Sequence, residues 1–154
     1  MGAVTYSNEN VASVLNEDVI PLQLPFDAQP HATDYNVKWT PALFIVDREG
    51  LSHHDRVGFL PPEEFVPFLK LGMGKAFFDQ DRFAEALGLL HEVITNYPQS
   101  IAAPEAVYLQ GVCRYKSTHE PDGLIEAYEK LSAEYPSSDW ARRAEPYVLL
   151  KEMV

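Results

Sequence analysis

The sequence predicts an α+β chain in two parts: a partial sheet with flanking helices over residues 1–72, then an all-helical hairpin array over 73–154. Three observations carry this prediction. Residues 1–72 hold seven of the twelve prolines and short apolar runs bounded by turn residues. Residues 73–154 instead show long apolar stripes at the helical period. Within that second part, Tyr97-Pro98-Gln99-Ser100 recurs as Tyr135-Pro136-Ser137-Ser138, an offset of 38. Charge does not mark the change: four cations face ten acids in the first part, eight face thirteen in the second.

The elements follow in order. Ser7 or Asn8 is placed to cap a short helix running to about residue 16, with Val11, Val14 and Leu15 inward. Residues 19–26, Val-Ile-Pro-Leu-Gln-Leu-Pro-Phe, read as a strand whose pairing is limited by Pro21 and Pro25. Residues 27–36 are polar and show no period. Residues 42–46 are a continuous apolar run, the pattern of a buried strand. Residues 47–50, Asp-Arg-Glu-Gly, form a turn, and 51–59 a more polar strand, so the pair predicts a β-hairpin. Pro61-Pro62-Glu63-Glu64 opens a helix with Pro62 at its first position and acids in its first turn. The stripe Phe65, Phe68, Leu69, Gly72, Met73, Ala76, Phe77 carries that helix to about residue 79, across the boundary at 72.

In the second part, Phe83, Ala86, Leu87, Leu90, Val93, Ile94 and Tyr97 form one amphipathic stripe, and Leu124, Ala127, Tyr128, Leu131 and Tyr135 another. Each ends at a proline. Residues 103–117 are apolar on two sides, which predicts a helix packed between neighbours, with Gly111 admitting one of them closely. Residues 139–150 would close the array as a capping helix.

Composition removes several classes of function. Twelve Lys+Arg against 23 Asp+Glu give a net charge of −11. That opposes nucleic-acid binding, which needs a basic face, and docking on anionic lipid. No apolar run approaches the roughly 20 residues of a membrane span. The start MGAVTYSNENV has no basic segment followed by an apolar one, so the expected location is cytoplasmic. One cysteine, Cys113, excludes an internal disulfide, a CxxC motif and a cysteine-rich zinc site. No cofactor is expected.

Residues 73–154 resemble the tetratricopeptide repeat, a helix–turn–helix unit of 34 residues. Gly74, Phe77, Ala86 and Pro98 fall at that family's small, aromatic, small and proline positions. The second unit departs from it: its stop comes 38 residues later, and Leu124 stands where a small residue belongs. A longer turn around residues 117–123 would account for the difference. A generic helical hairpin bundle is the plainer alternative. The resemblance implies a protein or peptide partner, with Tyr108, Gly111, Tyr115 and Tyr128 as helix-packing or groove residues.

The first part resembles the C-terminal portion of a thioredoxin-like domain. The residues that carry this are 35–50, Tyr-Asn-Val-Lys-Trp-Thr-Pro-Ala-Leu-Phe-Ile-Val-Asp-Arg-Glu-Gly, then Arg56-Val57-Gly58, then a helix. The resemblance implies a cis Thr40–Pro41 bond before a buried strand, and a candidate loop at Trp39, Thr40 and Pro41. In that family the residue before the cis-proline, here Thr40, offers its backbone groups to an extended segment; otherwise Pro41 only shapes the loop. Trp39 either caps that surface or fills the core. Residues 1–7 resemble the stretch after the family's CxxC, so the first strands and the redox motif have no counterpart here. An exposed sheet edge and a homodimer joined at it are the corresponding expectation.

Thiol–disulfide exchange needs an attacking thiolate and a resolving thiol, and Cys113 is alone. His53 and His54 alternate across a strand and cannot share an ion. His31, His91 and His119 lack metal-ligand spacing, so all five histidines read as solvated and no metal site is expected. The leading expectation is a non-catalytic protein-interaction module. Its rivals are the C-terminal portion of a thiol–disulfide oxidoreductase whose CxxC lies upstream, and a structural subunit that self-associates.

Overall fold

A computed structural model describes residues 1–153, which form seven α-helices, one 3-10 helix and one two-stranded sheet. Two compact units divide the chain, Met1–Val66 and Pro67–Val154. The division falls inside a helix, α3, which spans Pro62–Asp79.

In the first unit, α1 covers Glu9–Glu17. The Asn8 side chain caps it by accepting from the N–H groups of Asn10 and Val11. This satisfies two donors that a helix start leaves without partners. Val11 on the inner face is fully buried. Just upstream, the buried Thr5 hydroxyl donates to the Leu60 carbonyl at 2.5 Å, and Tyr6 meets Phe65 edge-on at 5.7 Å. Residues 27–36, where no period was visible, contain the single-turn helix α2, His31–Asp34.

The predicted hairpin is present. β1, Ala42–Val46, pairs antiparallel with β2, Ser52–Val57, in the register Ala42↔Val57, Phe44↔Asp55 and Ile45↔His54. The register then shifts so that Val46 faces Ser52, which leaves His53 as the extra residue of a bulge. Gly50 turns the chain at φ +83°, a conformation glycine adopts without cost. The Thr40–Pro41 bond is cis, as expected, and so is Gln29–Pro30.

One expectation for this unit is corrected: residues 19–26 do not form a strand. The sheet has two strands among the described residues, which by itself does not show a thioredoxin-like sheet. The prolines explain the missing strand: Pro21 and Pro25 remove two donors from the segment. No backbone hydrogen bond involves residues 19–24 among the described residues. Ile20, Leu22 and Phe26 remain 97%, 75% and 70% exposed.

The second unit continues with α4 (Phe83–Asn96), α5 (Ala102–Thr118), α6 (Asp122–Glu134), α7 (Asp139–Ala144) and a 3-10 helix, Glu145–Glu152. The predicted capping helix therefore changes type at Glu145, next to Pro146. Two cores meet on opposite sides of α5. One joins Leu71 of α3 with Ala86, Leu90 and Val93 of α4 and Ala102, Ala106 and Cys113 of α5. The other joins Val107 of α5 with Ala127 and Leu131 of α6 and Ala141 and Ala144 of α7. This is the two-sided burial that the apolar pattern of 103–117 predicts.

At the α5–α6 crossing, a Cβ on Gly111 would stand 2.6 Å from the Ala127 Cβ and 2.7 Å from the Gly123 carbonyl oxygen. Only glycine fits there. Gly123 is similarly confined: a Cβ there would stand 2.7 Å from the Arg114 Cβ. The small residue absent at Leu124 is thus supplied one position earlier.

The repeated stops are repeated in three dimensions. Tyr97 and Tyr135 end α4 and α6 with near-identical dihedrals, −132°/50° and −133°/48°. The Ser100 and Ser138 hydroxyls each donate to the carbonyl three residues back, both at 2.8 Å. The extra length of the second unit does not lie in its turn. Residues 80–82 and 119–121 are both three-residue turns, each using a left-handed residue, Asp81 or His119. Gly74 precedes Ala86 by the same interval that separates Gly111 from Gly123. Most of the extra residues therefore fall between Pro98 and Gly111, where α5 begins.

Candidate functional site

Two places carry the residues that sequence reasoning singles out, one in each unit. In the first, Trp39 is 73% exposed and so does not fill the core. Thr40 is exposed and Pro41 half-buried. The Pro41 carbonyl accepts the Gly58 N–H at 2.8 Å, which closes the base of the hairpin. That bond ties the loop at Pro41 to the residue that follows β2.

Sequence reasoning misses the pair at the other end of the hairpin. Asp47 Oδ1 accepts the N–H groups of Glu49 and Leu51, and Asp47 Oδ2 meets His53 Nε2 at 2.8 Å. His53 is not solvated: its side chain is 3% exposed. The bulge places it opposite the turn, a displacement that strict strand alternation does not reveal. The His53 contact first, then the turn N–H groups, hold the Asp47 carboxyl below its usual range.

In the second unit, Tyr108 of α5 joins an aromatic cluster. Its ring lies 5.2 Å from Trp140 and 5.8 Å, stacked, from Tyr147. The Tyr147 hydroxyl donates to the Tyr108 hydroxyl at 2.8 Å. Burial, then that contact, push the Tyr147 phenol above its usual range. The Arg143 guanidinium sits 4.6 Å from the Trp140 ring centre, close enough for a cation–π contact. Tyr128 is half-buried and packs on the same core. Tyr115, seven residues beyond Tyr108, is 40% exposed and lies near His119 instead. Gly111 is a packing residue at the helix crossing. The candidates thus divide: Tyr108 and Tyr128 gather around one core, Tyr115 stands apart, and Trp140, Arg143 and Tyr147 are additions from the structure. The signal for them was Trp140 and Tyr147 seven residues apart in the predicted capping helix.

A shallow concavity lies between the two stops, lined by Pro98, Gln99, Ser100, Glu134 and Tyr135. The Tyr135 hydroxyl donates to the Pro98 carbonyl at 2.8 Å and ties one stop to the next.

Cys113 is fully buried, and desolvation pushes its thiol up to about 11. Among the described residues, no group of three His, Cys, Asp or Glu side chains is placed to hold a metal ion. No helix there is long and apolar enough to cross a membrane.

Comparison with curated proteins and with solved structures finds no match for the chain. Comparison with protein families does: the tetratricopeptide repeat matches residues 69–100, from within α3 through α4 to the end of the first Tyr-Pro stop.

Proposed function

We propose that this chain is a non-catalytic protein-interaction module whose tetratricopeptide-like helices take a protein or peptide partner. The observation that carries the reading is the repeat matched at residues 69–100, together with its structural duplication at the second stop. Stacked helical hairpins of this kind expose extended faces, which suit a partner segment better than a small molecule. The surface we favour is formed by Tyr108, Trp140, Tyr147 and Arg143. Aromatic rings and an arginine there combine apolar area with directional donors, the composition of binding hot spots. Tyr115 and Tyr128 extend the same reading along α5 and α6.

The first unit is read as a thioredoxin-like remnant, supported by the order Pro41, β1, glycine turn, β2, Val57-Gly58 and helix. Its open sheet edge is a place for a second copy of the chain. Nothing favours a redox role, since the one thiol is buried.

Affinity capture from the cells that make the protein, quantified by mass spectrometry, tests the module. The intact chain should enrich a defined set of proteins that Arg143→Glu loses at least tenfold, with helical circular dichroism unchanged. Enrichment no greater than on bare resin, or equal for both forms, would sink it.

A further inference from the structure

We infer that residues 20–26 of one copy add as a third strand to the free edge of β1 in a second copy, reciprocally, to form a two-fold dimer. The inference stands on the first unit alone and does not rest on the helical module.

The donor is a segment built for pairing on one side only. In an extended chain, the N–H and C=O groups of alternate residues point to the same edge. Pro21 and Pro25 share a parity, so both missing donors fall on one edge, with Val19 and Gln23. The other edge, at Ile20, Leu22, Leu24 and Phe26, keeps every N–H. The side chains of those four residues share one face of such a strand and are 97%, 75%, 44% and 70% exposed. No residue of 19–24 makes a backbone hydrogen bond among the described residues.

The acceptor is β1. The Gly58 N–H bonds to the Pro41 carbonyl, which sets the phase of the ladder. Counting along the register, Leu43 and Ile45 direct their backbone groups at β2, and Ala42, Phe44 and Val46 direct theirs outward. Among the described residues, the sheet has no strand beyond β1 on that side. None of its five apolar residues is fully buried, although the run Ala-Leu-Phe-Ile-Val suits a strand covered on both faces.

Charge selects a second copy as the occupant. The four donor side chains expose on the order of 400 Å² of apolar surface. Pairing laterally against β1 covers part of that surface in each of two exchanges and adds a backbone ladder, the main source of affinity in strand addition. The chain carries −11 overall, which opposes self-association, yet residues 19–26 and Ala42–Val46 contain no charged side chain. Contact between these two stretches brings copies together where repulsion is least. Higher salt should then tighten the dimer by screening the remaining charge.

The test uses the whole chain and two proline substitutions one residue apart. Light scattering coupled to size exclusion should give twice the 17.4 kDa of one chain at about 100 μM, and the dimer should dissociate on dilution. Leu22→Pro strips a donor from the intact edge and should lower the dimer affinity at least tenfold. Gln23→Pro acts on the edge that already lacks donors and should leave the affinity within about twofold. Circular dichroism checks that both variants keep the helical signal. A monomer at 100 μM overturns the inference, and slow amide exchange at Ala42–Val46 in that monomer would show that the chain covers its own edge. Equal loss of affinity in both variants, or none in either, also overturns it. Capture of protein partners through the second unit is read separately, so failure of either idea leaves the other measurable.

Discussion

Gly111 and Gly88 make opposite demands at the same residue type. A methyl group at Gly111 would overlap the Ala127 Cβ and the Gly123 carbonyl oxygen, and neither is a flexible side-chain tip. Gly111→Ala should therefore destabilise the chain by about 1–3 kcal/mol, measured by urea denaturation. Gly88 lies within α4 and a methyl group there meets nothing within 4 Å. Gly88→Ala should stabilise by roughly 0.5–1 kcal/mol, since alanine is the better helix former. The same sign for both variants would refute the close crossing. Asp47 offers a pH test. Its carboxyl is held below the usual value by His53 and by the turn N–H groups, so its folded pKa lies below its unfolded one. Its stabilisation is then complete above the unfolded value, near pH 4, and is lost as pH falls further through the folded value. Asp47→Asn should weaken protection of hairpin amides at neutral pH, and the difference from the natural chain should shrink below about pH 4. A difference that grows on acidification would contradict this sign.

At the scale of elements, the Tyr-Pro stops are the strongest local signal, and they were legible because proline ends a helix whatever its surroundings. The capped start of α1 at Asn8, the hairpin, and the opening of α3 at Pro62 were legible for similar reasons: each depends on neighbours in sequence. What failed depended on distant partners. Residues 19–26 have a strand's composition but no strand beside them, and composition does not supply a partner. The extra residues of the second unit were expected in a Gly- and Pro-containing turn, yet the turn kept its length and the start of α5 took them. His53 was read from strand alternation, which a bulge breaks. Of the candidate site, the aromatic positions on α5 and α6 were visible by period, whereas their union with Trp140 and Tyr147 arises only from packing across helices. Ser138 tests the stop as an element. Its hydroxyl donates to the Tyr135 carbonyl and accepts from the Ala141 N–H, so it closes α6 and caps α7 at once. Ser100 makes the first contact alone among the bonds just described. Ser138→Ala should cost about 1–2 kcal/mol, and Ser100→Ala less, in denaturant melts. Equal losses would mean that capping α7 contributes little.

At the scale of the whole molecule, one cysteine among 154 residues decides what redox chemistry the chain supports. Disulfide exchange proceeds through a mixed disulfide that a second thiol must resolve, and this chain has no second thiol to offer. The first step is also suppressed. Cys113 lies in the core shared by α3, α4 and α5, with no exposed surface, and desolvation pushes its thiol up to about 11. At pH 7 its thiolate fraction is then on the order of one in ten thousand. A thiol reagent such as dithionitrobenzoate should therefore react with less than a tenth of the native chains within minutes, and with all of them in 6 M guanidinium. In an insulin-reduction assay with dithiothreitol, the chain should give the uncatalysed rate, unchanged by Cys113→Ser. Catalysed turnover that Cys113→Ser abolishes would overturn the non-catalytic reading, because it would require this helix to open often enough to expose a thiol that its packing otherwise keeps protonated and inaccessible.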